Sequence, residues 1–133
     1  MDSDHGFAFA HTGRFDQGRI AECQGLVRPP GRADSVVGFG LLSHTLLARY
    51  ESGLPLQNVH RQLGGTANMV HLGRDGAIAI YSGAEGNHMW TFDLDGGRFA
   101  STAIHSLDES VFTLCFPGAT ARTKVAFREE LGL

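Results

Sequence analysis

Seven bulky apolar residues between positions 70 and 94, namely Val70, Leu72, Ile78, Ile80, Trp90, Phe92 and Leu94, all carry even numbers. Successive side chains of a strand point to opposite faces, so this parity builds one apolar face and dictates pleated strands rather than helices. A turn at Gly73-Arg74-Asp75-Gly76 sets Val70 opposite Ile80 and Leu72 opposite Ile78. A second turn near Gly83-Ala84-Glu85-Gly86 then sets Ile80 opposite Trp90 and Ile78 opposite Phe92. Asp95-Gly96, inside "DLDGGRF", suits a type I′ hairpin turn and returns the chain through Phe99 to Ile104. Phe112, Leu114 and Phe116 alternate as a further strand, and Val125 with Phe127 as a last one.

Such a stripe needs a cover. Val36, Val37, Phe39, Leu41, Leu42, Leu46, Leu47 and Tyr50 recur at a helical period, despite Gly38 and Gly40. Gly53 is placed to end that helix, and Pro55 to start a second one through Leu56, Val59, His60 and Leu63, closed by Gly64-Gly65. The expected architecture is α+β: an antiparallel β-meander of five or more strands over 67–128, with a helix pair over about 35–63 packed on one face. Residues 6–27 read as an N-terminal strand pair, and the whole as one domain.

Bulk properties exclude several function classes. The 133 residues are 42% hydrophobic and 19% charged, within the globular range, and the net charge is −3. No Lys/Arg run exists, so no nucleic-acid partner is expected. The longest apolar stretch, "SVVGFGLLSHTLLARY", is too short and interrupted to span a bilayer, so no membrane partner is expected either. An acidic N-terminal start unlike a signal peptide, with only Cys23 and Cys115, gives the expectation of a soluble, reduced, cytoplasmic setting.

The same register constrains the chemical candidates. His71, His88 and His105 recur every seventeen residues, which invites a metal reading. His71 and His88 fall on opposite faces of the sheet, whereas zinc needs nitrogen ligands about 2.0–2.1 Å from one centre, so the interval is a strand repeat and no metal is expected. His44 and His60 lie on helices beside apolar neighbours, as satisfied boundary residues. Gly38 and Gly40 match two glycines of a dinucleotide-binding GxGxxG, but Ser43 replaces the third and no ribose-binding carboxylate follows, so no cofactor is expected. Ser82 opposite His88 is the single hydroxyl–imidazole pair that the register creates, and these two are the candidate catalytic residues.

The segment "ARYESGLPLQNVHRQLGGTANMVHLGRDGAIAIYSGAEGNHMWTFDLDGGRFASTAI", residues 48–104, resembles the C-terminal part of the isoaspartyl peptidase/L-asparaginase family of N-terminal-nucleophile hydrolases. That family has a helix, a "GLSLxxA"-type second helix, a Gly-Gly break and then "xIAxDxxGxIAxxxxxxGM…DG". The resemblance implies a hydrolase with a cleft near the 64–68 and 82–88 turns, where Thr66, Asn68, Ser82, Asn87 and His88 converge. The family's nucleophilic threonine has no counterpart position, since Thr66 stands elsewhere, so no catalytic residue is carried over.

Two functional expectations follow. The first is a non-catalytic module binding a small molecule, a protein partner or a second copy of the chain. Its contact surface is the mixed face of Met69, His71, Tyr81, Met89, Thr91 and Asp93. The second is the hydrolase just described. The absence of HExxH, paired CxxC, Walker and GxSxG motifs leans the expectation away from an enzyme.

Overall fold

In a computed structural model, which describes residues 7–23, 34–47, 54–102 and 109–133, the strands keep their parity but their faces are divided between two sheets. The first sheet holds β1 (Ala8–Thr12), β2 (Asn68–Leu72), β3 (Ile78–Tyr81) and β7 (Glu130–Gly132), in the order β1-β2-β3-β7. The second holds β4 (Met89–Leu94), β5 (Gly97–Thr102) and β6 (Thr120–Lys124), in the order β5-β4-β6. All five strand pairings are antiparallel. With helices α1 (Gln17–Cys23), α2 (Asp34–Leu47), α3 (Pro55–Leu63) and α4 (Glu109–Cys115), the fold is α+β.

The β2–β3 register matches the expectation, with Val70 opposite Ile80 and Leu72 opposite Ile78. So does the turn after β4, where Asp95 and Gly96 both have positive φ, 50° and 78°, as a type I′ turn requires. The next expected pairing fails. β3 pairs with β7, not β4, so Ile80 faces Leu131 instead of Trp90. The reason lies in the 82–88 segment, which is not a hairpin turn. Asn68 Oδ1 accepts the Gly83 and Ala84 amides at 3.1 and 3.2 Å, and Asn68 Nδ2 donates to the Asn87 carbonyl at 2.6 Å. These bonds lead the chain out of one sheet and into the other.

Crossing between sheets changes what covers each face. Ile80 packs with Met89 and Val125, flanked by Val70, Ile78 and Leu131, in a core between the two sheets. The helix trio covers the opposite face of the first sheet, where Met69 and Tyr81 lie at 0% and 1% exposure among Val37, Leu42, Leu56, Val59 and Leu63. The helix pair therefore hides the odd-numbered residues, not the even-numbered stripe assigned to it from sequence. Each large side chain buried this way contributes about 1.5–3 kcal/mol. Gly38 has a packing reason for its place in α2: a Cβ there would meet the Phe9 ring of β1 at 2.9 Å.

Three further elements differ from expectation, the first being that Val125 and Phe127 lie in the connection between β6 and β7 and not in a strand. Residues 17–23 form a helix rather than the second strand of a pair, because Asp16 caps it, accepting the Arg19 amide at 3.0 Å, and Ile20 and Cys23 bury one face. Phe112, Leu114 and Phe116 belong to α4 and its end, not to a strand. Phe112 and Phe116, four residues apart, both meet Phe92 on the outer face of the second sheet, with ring centroids 5.0 and 4.8 Å away. Leu114 points to solvent at 79% exposure. The proposed Gly53 cap and His105 lie outside the described residues.

This helix assignment separates two substitutions that alternation would treat alike. Phe112→Ala is expected to lower the unfolding free energy by roughly 2 kcal/mol, and Leu114→Ala by no more than about 0.5 kcal/mol. Equal losses in urea unfolding would contradict the helix.

Candidate ligand-binding site

The amphipathic face of α3 buries Leu56, Val59, His60 and Leu63. A histidine on that apolar stripe must find partners for both ring nitrogens or leave a costly unpaired group. His60 Nε2 lies 3.1 Å from the Gly65 carbonyl, and Nδ1 lies 2.7 Å from the Tyr81 hydroxyl. A carbonyl can only accept, so Nε2 carries the proton and bare Nδ1 accepts the Tyr81 O–H. Burial holds the His60 pKa below its ordinary value, and the charges of Arg128 and Arg19 push it the same way against the Gly65 bond. Burial raises the Tyr81 pKa. Both shifts favour the neutral forms. The Gly65 carbonyl is fixed by a tight crossing: Gly65 has φ 86°, and a Cβ there would collide with the Arg14 carbonyl.

This pair is the floor of a cavity of about 510 Å³ between α1, α3, β3 and the 126–129 turn. Its rim carries Arg19, Arg61 and Arg128, with Asp16, Gln57 and Phe127. Arg19 crosses the C-terminal end of α3, donating from Nη1 to the Arg61 carbonyl at 3.1 Å, where a cation suits the helix dipole. Among the described residues, no carboxylate lies within ion-pair distance of Arg19, Arg61 or Arg128; the Arg98–Asp93 pair, at 3.2 Å, spans β4 and β5 of the second sheet.

The 126–129 turn holds Arg128 in an unusual backbone state. Its φ is 64°, a left-handed conformation that costs a non-glycine residue about 1–2 kcal/mol. Two bonds impose it: the Arg128 amide donates to the Ser82 carbonyl at 2.7 Å, and the Ser82 amide donates to the Glu129 carbonyl at 3.0 Å. Next to it, buried Glu130 reaches α3, whose start has no local side-chain cap, and accepts the Gln57 amide at 2.8 Å. Burial raises the Glu130 pKa, partly countered by bonds from the Gln57 and Leu56 amides.

Of the six residues assigned from sequence to one contact face, only Tyr81 reaches this cavity. Met69 is sealed under the helices and Met89 in the inter-sheet core. His71 is half-buried in a T-shaped contact with Phe7, and burial lowers its pKa. Thr91 is buried on β4, and Asp93 pairs with Arg98. The six therefore do not form a single surface, because β2 and β3 lie in one sheet and β4 in the other. Ser82 and His88 do not meet as nucleophile and base. Ser82 is 0% exposed, with its Oγ accepting the Met89 amide at 3.2 Å, while His88 Nδ1 donates to the Val125 carbonyl at 3.2 Å. In the expected 64–68 and 82–88 cleft, Asn68 is spent on the loop bonds described above, and Thr66 and Asn87 are exposed. Among the described residues no group of three or more His, Cys, Asp or Glu side chains is placed to hold a metal.

The arginines were missed because they stand at positions 19, 61 and 128 and make no run. His60 was the available signal, an imidazole in phase with the apolar stripe of α3 and so obliged to bond across to another element.

No family model and no curated protein matches the sequence. Among solved structures, the chain is similar to the glutamine phosphoribosylpyrophosphate (PRPP) amidotransferase of B. subtilis, solved with ADP and GMP, at a TM-score of 0.64 and 15% identity. The match covers 99% of this chain but 28% of that one, and at this identity it bears on the fold alone.

His60 gives a pH dependence of known sign. Its folded pKa is depressed, so its contribution to stability is present above the unfolded value of about 6.5 and is lost as the pH falls through the folded value. The unfolding free energy of the wild type should therefore drop more from about pH 7 to about pH 5 than that of His60→Gln. Parallel pH profiles would contradict the buried neutral imidazole. Tyr81→Phe, which leaves Nδ1 without its donor, should cost about 1–3 kcal/mol at neutral pH in the same assay.

Proposed function

We infer that this is a non-catalytic module that binds a small anionic molecule in the cavity between α1, α3, β3 and the 126–129 turn. One observation carries the reading: three arginines line one cavity and, among the described residues, meet no carboxylate at ion-pair distance. Gathering like charges is unfavourable, and a bound anion offsets that repulsion through charge-assisted hydrogen bonds. The strained backbone of Arg128 supports it further, since glycine would fit that left-handed position at no steric cost.

Binding is favoured over catalysis by the floor. A general base needs a free nitrogen facing the ligand, whereas His60 spends Nε2 on the Gly65 carbonyl and Nδ1 on the Tyr81 hydroxyl, whose only proton is thereby used. A rigid neutral floor under a cationic rim suits recognition.

Arg128→Gly separates function from stability. The variant relieves the left-handed backbone, so its unfolding free energy should stay within about 1 kcal/mol of wild type or rise. Titration with sulfate and with benzoate, followed by amide shifts at Gln57, Arg61 and Gly65, should be saturable in the wild type and at least about fivefold weaker in the variant. Undiminished titration of Arg128→Gly, or no saturable shift in the wild type with either anion, would end the reading.

A further inference from the structure

We propose that the anion taken by this cavity is a phosphomonoester dianion whose ester group is a flat apolar ring lodged against Phe127. The inference rests on the anion-binding reading and specifies its ligand. Charge is the first argument. Three guanidinium groups face one lining carboxylate, Asp16, so two positive charges are left for the ligand to neutralise. A carboxylate supplies one negative charge; a phosphomonoester supplies close to two above its second pKa of about 6.

Donor geometry points the same way. A carboxylate has two coplanar oxygens, which one guanidinium fork satisfies, whereas the three terminal oxygens of a phosphomonoester spread tetrahedrally and engage several forks at once. Here the forks are carried by separate elements around one cavity: Arg19 by α1, Arg61 by the last turn of α3 and Arg128 by the 126–129 turn. Arg19 spends one N–H on the Arg61 carbonyl and keeps its remaining donors. The floor does not compete for the phosphoryl group, because Tyr81 gives its only proton to His60.

Size and the rim supply the ring. A volume of about 510 Å³ is far more than a lone phosphoryl group fills, and it falls in the range of small-molecule sites. Phe127 lines the cavity at 37% exposure, and the Arg128 guanidinium lies 5.0 Å from its ring centroid. An oxyanion bound by Arg128 therefore has an aromatic surface beside it, suited to an adjoining ring.

Calorimetric titration with phenyl phosphate, inorganic phosphate and benzoate, at fixed ionic strength and about pH 8, where both phosphates are dianions, tests each part. Phenyl phosphate should bind at least about fivefold more tightly than inorganic phosphate and about tenfold more tightly than benzoate. In Phe127→Ala the advantage over inorganic phosphate should vanish, and in Arg61→Gln both phosphates should weaken together by about tenfold. Benzoate binding as tightly as phenyl phosphate would overturn the dianion while leaving an anion site in place. Equal affinities for inorganic and phenyl phosphate in the wild type would overturn the ring. No saturable binding of any of the three would remove the anion site itself.

Discussion

The hydrogen bond from the Tyr81 hydroxyl to His60 Nδ1 is where the layers of this molecule are tied together. Tyr81 ends β3, the strand buried on both sides: Ile80 faces the inter-sheet core and Tyr81 the helix core. A buried phenol and a buried imidazole would each be costly alone, and pairing them removes both penalties at once. The bond also fixes how α3 lies on the sheet, because His60 is anchored from its other nitrogen by the Gly65 carbonyl. Everything above it depends on that orientation. Arg61, one residue along α3, lines the same cavity as His60.

The C-terminal residues complete the arrangement from the far end of the sequence. β7 takes the place beside β3 and delivers Glu130 to the uncapped start of α3 and Arg128 to the cavity mouth. A carboxylate at a helix N-terminus is electrostatically favourable, though here burial raises its pKa. The cavity is thus assembled from segments more than a hundred residues apart, each placed by its own backbone hydrogen bonds and bridged at the rim by Arg19 to the Arg61 carbonyl and Gln57 to the Arg128 carbonyl. In the proposed anion-binding role, backbone held in this way leaves less of the chain for a ligand to order.

Local chemistry was legible in the sequence; long-range pairing was not. Pro55 and Gly64 bound α3, and the β2–β3 register with the Asp95-Gly96 turn followed from short-range periodicity and turn preference. The pairing of β3 misled because a hairpin and a sheet-to-sheet crossover share the same glycine-rich grammar. Partners outside the turn decide between them, the buried side chain of Asn68 and the backbone of the 126–129 turn among them. Phe112 and Phe116 fit a strand period and a helical one equally well, and the Phe92 ring beneath them selects the helix. Parity alone puts Tyr81 on the mixed contact face, but parity only groups side chains, and the topology decides which layer covers each group. The cationic rim left no local trace, since its three arginines become neighbours only through the fold.

Nitrogen-15 NMR of the His60 imidazole at neutral pH tests the central claim most directly. The account predicts a neutral ring protonated at Nε2, with a bare Nδ1 hydrogen-bonded to the Tyr81 hydroxyl. An imidazolium, or a neutral ring carrying its proton on Nδ1, would contradict it.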